Sequence, residues 1–285
     1  MGAAETRWQH PSLAGRVVLV TGGARGLGRE MALELLAQGA CVTATGASAS
    51  PALGELEAAA DDMGAGHRLW ATVADVCDFE ACTALVESVQ ARFGPLAVLV
   101  NNAGRGMRLV SEVFNTEPTR FWQTDPAAWR AIVETNLNGA FHMARAAVPG
   151  MVSRGFGKVL NISTSDPTMV RRGYAPYGPS KAGLEAASRV WSQDLAGTGV
   201  DVNVYLPGGA ADTDLLPPGE DRKGADGNLL PAAVMRRGIG WLCSDASNGV
   251  TDRRFIARLW PEAGGPPNGA EPPAFLFPAP RAQYR

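Results

Sequence analysis

Short apolar runs rich in β-branched residues alternate with longer stretches of helical periodicity along most of this 285-residue chain. The runs at Arg16–Thr21, Cys41–Thr45, His67–Val73, Ala97–Asn101, Lys158–Ile162, Val200–Tyr205 and Arg254–Leu259 read as strands. Between the first two, Leu27, Met31 and Leu35 make an i, i+4 stripe, with Ala32 and Leu36 beside it. Further helices are predicted over Pro51–Met63, Phe79–Phe93, Pro126–Val148, Tyr177–Leu195 and Pro231–Leu242. Such strict alternation implies an α/β fold: a doubly wound, mostly parallel sheet of about seven strands, with helices on both faces and right-handed crossovers. No internal boundary is visible before about Trp260, so residues 1–260 read as one domain. The Pro- and Gly-rich Pro261–Arg285 reads as an extended or disordered tail. Two connections, Arg105–Asp125 and Gly208–Leu230, exceed what joining neighbouring elements requires. Both follow strands, at the carboxyl edge where such sheets bind ligands.

Composition narrows the function. A formal net charge of −2 argues against nucleic acid or an acidic membrane as the main partner. No apolar run is long enough to span a bilayer and the start of the chain has no secretory signature, so a cytoplasmic location is expected. Cys41, Cys77, Cys82 and Cys243 lack metal-ligand spacing and read as reduced thiols; His10, His67 and His142 are widely separated, so no metal site is expected. The 26 basic residues include only three lysines, Lys158, Lys181 and Lys223. Lysine is the cation whose pKa moves most readily on burial, which draws attention to the position of Lys181.

Lys181 follows Tyr177 by four residues in Ala-Pro-Tyr-Gly-Pro-Ser-Lys. Pro179 is tolerated only in a first helical turn, which places a helix start near Pro176 to Gly178 and puts the phenol and ammonium on one face. A fixed cation beside a phenol lowers its pKa from about 10 and makes it a usable general acid or base. Upstream, the first strand runs into Thr21-Gly22-Gly23-Ala24-Arg25-Gly26-Leu27-Gly28 and then a helix. Glycines there allow a tight turn and close backbone approach to a pyrophosphate, and the helix N-terminus attracts the anion.

Together these residues resemble the short-chain dehydrogenase/reductase family over about residues 14–260. The glycine turn is similar to the family's Thr-Gly-x-x-x-Gly-x-Gly, and Asp75-Val76 to its adenine-contacting pair. Asn101-Asn102-Ala103-Gly104 resembles the close of its fourth strand, and Asn136-Leu137-x-Gly139 the helix with its active-site asparagine. Asn161-Ile162-Ser163-Thr164-Ser165 resembles the strand end with its catalytic hydroxyl, and Pro207-Gly208 with Thr213 its nicotinamide loop. The resemblance implies a Rossmann fold and hydride transfer between a nicotinamide dinucleotide and a small carbonyl or alcohol. Tyr177 would act as acid or base, Lys181 would bind the ribose and tune the phenol, and Asn136 would hold a relay water. Spacing to Tyr177 selects Thr164 as the substrate-orienting hydroxyl, with Ser163 and Ser165 as one-residue alternatives. Gly22, Arg25, Gly26, Leu27, Gly28, Asp75, Val76, Asn102, Ala103, Gly104, Pro207, Gly208 and Thr213 would line the cofactor together with Tyr177 and Lys181. Relatives also form dimers or tetramers through the helices that carry Met143 and Trp191 here, so a homo-oligomer is implied. Asp252 stands where the family commonly has glycine before its last strand, and one extra residue separates Pro207-Gly208 from Thr213.

The cofactor's identity has its own signal. An NAD-binding carboxylate is expected about 20 residues past the glycine loop, but Thr45-Gly46-Ala47-Ser48 has no acid before Glu55. With Arg25 available as a cation, NADP is favoured over NAD. The alternative to an enzyme is a catalytically silent regulatory protein of the same fold, which would need no proton donor.

Overall fold

The computed structural model describes residues 8–219, 222–224, 227–262 and 265. Seven parallel strands lie in the order β3-β2-β1-β4-β5-β6-β7: β1 (Val17–Val20), β2 (Cys41–Gly46), β3 (Leu69–Val73), β4 (Val98–Asn101), β5 (Gly157–Ile162), β6 (Val200–Leu206) and β7 (Arg253–Ile256). The helices are α1 (Gly26–Ala37), α2 (Pro51–Asp62), α3 (Phe79–Phe93), α4 (Pro126–Val133), α5 (Gly139–Arg154), α6 (Asp166–Met169), α7 (Tyr177–Asp194) and α8 (Arg236–Cys243). The fold class is as expected.

The central strands are apolar throughout because both faces are covered. Side chains alternate across a strand, so Val18 and Val20 enter one core with Met31, Leu35 and Ile239, while Val17 and Leu19 enter the other with Val86, Met143 and Val159. Glycine 28 shows how tightly α1 seats on this sheet: a Cβ there would lie 2.3 Å from the Gly22 carbonyl oxygen. Any side chain would lift the helix off the turn.

Three element assignments differ from the sequence reading. The predicted helix Pro126–Val148 is interrupted by a π-helical segment, Glu134–Asn138, and continues through Pro149 to Arg154. One extra residue per turn rotates Asn136 inward, which single-turn π insertions commonly do at functional sites. The last strand ends at Ile256, because Ala257–Leu259 tightens into a 3₁₀ turn. Likewise, Gly66–Arg68 forms a 3₁₀ turn before β3. Most of the predicted tail Pro261–Arg285 lies outside the described residues, as does part of the loop Gly208–Leu230.

Asp252 has φ 56°, and it is the single non-glycine residue with positive φ among those described. The left-handed region explains why glycine suits this position. Aspartate is tolerated there and receives Arg189 Nη2 at 2.7 Å.

Candidate active site

At the carboxyl edge of the sheet two cavities meet. The larger, about 600 Å³, is lined by Gly22, Arg25, Gly26, Leu27, Asp75 and Val76 on one side. Asn102, Ala103, Gly104, Tyr177, Lys181 and Thr213 complete its wall. Gly28 lies beneath it in the packing described above. The smaller, about 270 Å³, is lined by Thr164, Tyr177, Pro207 and Gly208 together with the loops. Tyr177, Leu27 and Thr213 belong to both linings. The structure thus brings the sequence-predicted residues to one edge, with Pro207 and Gly208 around the smaller cavity.

The glycine turn is tied to β4 by side chains. Asn102 Nδ2 donates to the carbonyls of Thr21 and Gly22 at 2.9 Å each, while Thr21 Oγ1 accepts from the amides of Asn102 and Ala103 at 3.0 Å each. Gly22 and Gly26 have φ of 60° and 54°, values that side chains resist. A Cβ on Gly26 would come within 3.2 Å of the Thr213 methyl, so the loop after β6 reaches over this turn. Side-chain-free backbone lining the larger cavity is what close approach to a pyrophosphate requires. A nicotinamide dinucleotide fits these residues. At the other end of the cavity, Thr45, Gly46, Ala47, Ser48 and Ser50 contribute no carboxylate. Arg25 spans the opening to Asp214 at 3.3 Å, with side chains 73% and 66% exposed.

Tyr177 opens α7, and Lys181 lies one turn further along it. Lys181 Nζ donates to the Ile162 carbonyl at 2.8 Å. Burial lowers its pKa to about 8, a shift that Glu185 opposes. The expectation that Lys181 holds the phenol pKa down is corrected here: burial pushes Tyr177 up to about 12, and the opposing influence is the neighbouring Thr164 side chain. The ammonium one turn away points at the end of β5. Among the three candidate hydroxyls, Ser163 is buried and Ser165 is engaged with Thr168 Oγ1 at 2.9 Å. Thr164 is the one beside the phenol.

Asn136 is bound on every side that faces the chain. Its Oδ1 accepts from the Arg105 amide at 2.8 Å, and its Nδ2 donates to the Arg105 carbonyl and to Ser180 Oγ, each at 3.0 Å. These contacts anchor the start of the long loop after β4 to α7. Within that loop, Met107 and Phe114 are buried and line the smaller cavity, whereas Phe121 and Trp122 are 67% and 65% exposed and form an edge-on pair away from it. Of these four apolar residues of the loop, two therefore face the cavity and two do not. Met143, on one of the helices expected to meet a partner subunit, is itself fully buried in the chain's own core.

Sequence reasoning missed the ion cluster behind Thr164. Arg254 on β7 is 2% exposed, and its Nε donates to both oxygens of Glu185, at 3.0 and 3.1 Å. Its Nη2 donates to the Thr164 carbonyl at 3.0 Å and pairs with Asp166 on α6. Burial raises the Glu185 pKa against the pull of Ser163 and Arg254. One signal was available: Glu185 continues the Tyr177, Lys181 face at i+8, and Arg254 interrupts an otherwise strand-like pattern.

Among the described residues no helix is long and apolar enough to cross a membrane, and no cluster of His, Cys, Asp or Glu would hold a metal. Comparison with known proteins agrees with this geometry. The short chain dehydrogenase profile matches residues 16–223. Acetoacetyl-CoA reductase of Shinella zoogloeoides is 35% identical over 193 residues, covering 68% of this chain and 73% of that protein. The 3-oxoacyl-acyl-carrier-protein reductase of Salmonella typhimurium is 31% identical over 248 residues, covering 84% and 94%. A solved Sinorhizobium meliloti protein, provisionally named a short-chain alcohol dehydrogenase, superposes with TM-score 0.72 at 29% identity, covering 87% of this chain and 97% of its own. The chain belongs to the short-chain dehydrogenase/reductase family and is an NAD(P)-dependent oxidoreductase.

Proposed function

We propose that the protein reduces a small carbonyl compound, or oxidises the matching alcohol, with Tyr177 moving the proton and NADP(H) as the preferred dinucleotide. The observation that carries this reading is the position of the phenol, shared by both cavities and next to Thr164. The bound nicotinamide supplies the hydride chemistry. Thr164 orients the substrate oxygen and Tyr177 protonates it in the reductive direction. A phenol whose pKa is raised to about 12 stays protonated at neutral pH, so the proton is in place when a carbonyl binds. Lys181 holds the ribose, with its ammonium fixed on the Ile162 carbonyl at the end of β5. Asn136 keeps the Arg105 segment against α7, and with a water it completes the proton path from Lys181.

Gly22, Gly26, Asn102, Ala103, Gly104, Asp75 and Val76 would hold the dinucleotide, and Thr213 would close over it. The absence of a carboxylate around Gly46 removes repulsion of a 2′-phosphate, and Arg25 supplies the cation once it leaves Asp214. Exposed Phe141 on α5 and Val190 on α7 suit a homodimer or homotetramer. Loss of NADPH absorbance across a panel of ketones and aldehydes tests the reading. Turnover of at least one carbonyl class is expected, and binding of NADPH with no turnover of any would favour a catalytically silent binder.

A further inference from the structure

The smaller cavity carries charge that this reaction does not use. Its walls are apolar at Met107, Phe114, Leu215 and Leu216, yet Arg171, Arg258 and Lys223 also enter the lining, and no Asp or Glu among the described residues does. Elsewhere, arginines such as Arg16, Arg189 and Arg237 reach a carboxylate. Arg171 and Arg258 reach none among the described residues. Each is nevertheless positioned. Arg171 lies 4.7 Å over the Tyr174 ring and donates through Nη1 to the Tyr174 hydroxyl at 3.0 Å, which leaves the rest of its donor fork unused. Arg258 donates its amide to the Pro207 carbonyl at 3.1 Å, and its Cγ is 2.7 Å from where a Cβ on Gly208 would sit. Its stem is thereby laid along the Pro207-Gly208 wall while the guanidinium stays in solvent.

Two guanidiniums that reach no carboxylate among the described residues, at the wall of an apolar cavity, select for an anion. We infer that the substrate is an anionic carbonyl compound: an apolar body with a carboxylate or phosphate remote from the reacting carbonyl, held at that end by Arg171 and Arg258. This rests on the carbonyl-reductase reading above and names the substrate class for the same site. Guanidinium binds both kinds of oxyanion through paired N–H donors, so the anion is the shared chemistry.

The test compares 4-acetylbenzoate and 4-acetylphenyl phosphate with the neutral methyl 4-acetylbenzoate, using the full chain and NADPH. Turnover and, separately, binding by ligand-observed NMR are measured. An anion is expected to be preferred to the ester by on the order of tenfold, with the preference shrinking at high salt. Arg171→Gln and Arg258→Gln should each lower the anion-to-ester ratio, the double variant should bring it near unity, and Arg171→Lys should retain part of it. The ranking of the two anions identifies the end group. An ester bound and turned over as well as either anion, or a ratio unmoved by the double variant, overturns the inference. If no ketone is turned over, the carbonyl-reductase reading fails while the binding ratio still decides this one: a preference for the anions upholds it, and equal binding overturns it.

Discussion

Two arginine–carboxylate pairs flank the site, one at the mouth of the larger cavity and one behind Thr164, and they differ in almost every respect. Arg25 meets Asp214 at 3.3 Å with both side chains mostly in water, whereas Arg254 grips Glu185 with side chains 2% and 0% exposed. An exposed pair is screened and gives little stability, about 0–1 kcal/mol. It can part when a dinucleotide enters. A buried pair cannot part without leaving charges stranded in a low-dielectric interior. The contrast teaches which side can yield and which stays fixed: the exposed pair on the glycine-turn side is free to part, while β7, α6 and α7 hold the Thr164 backbone in place.

The largest effect is expected on the fixed wall. Arg254→Met strands Glu185 and Asp166 and should cost about 3–5 kcal/mol of stability, read as a drop in denaturant midpoint. Removing both partners, in Arg254→Met with Glu185→Leu, should cost less than the sum of the two single changes. Additive losses would mean that the pair does not act as a unit.

The contrast also marks what could be read from sequence. Turn and helix start were legible because Gly22, Gly26 and Pro179 impose local conformation wherever they stand, and the placing of Tyr177 and Lys181 on one helix followed from that start. The fold class followed from alternation, since buried parallel strands must be apolar. Arg254 and Glu185 are 69 residues apart; each is an odd residue in its own element, but only the sheet order shows that they meet. The π-helical segment at Asn136 is a tertiary choice, made through contacts to Arg105 and Ser180. The direction of the Tyr177 shift was misread because burial depends on packing around the ring, while the spacing to Lys181 reports only proximity. The fate of Phe121 and Trp122, exposed rather than lining the cavity, was likewise hidden in the course of a loop.

A second, intermediate effect sharpens the comparison through pH. Lys181, with a pKa lowered to about 8, loses its positive charge as pH rises through that value, so kcat/KM for carbonyl reduction should fall above it. Glu185 raises that pKa, so Glu185→Gln should move the inflection to lower pH. Asp214→Asn, on the exposed wall, should leave it in place. A shift of equal size in both variants would erase the distinction between the walls.

The smallest expected effect is on cofactor choice. Arg25→Ala should weaken NADPH by on the order of tenfold, as the loss of one charge-assisted contact would. It should leave NADH binding nearly unchanged and alter stability by less than about 1 kcal/mol. Fluorescence titration of both dinucleotides measures it. Equal loss for both would assign Arg25 to general binding, and tighter NADH than NADPH in the unaltered protein would reverse the preference.

The central claim is that the Tyr177 hydroxyl, at the junction of the two cavities, moves the proton. Tyr177→Phe keeps the ring that packs there and removes only the oxygen. The decisive measurement is kcat of this variant on the best carbonyl substrate, taken beside its affinity for NADPH. The account predicts a fall of about 10²–10⁴-fold in kcat with dinucleotide affinity changed little. Near-normal turnover in a folded, NADPH-binding Tyr177→Phe protein would contradict it.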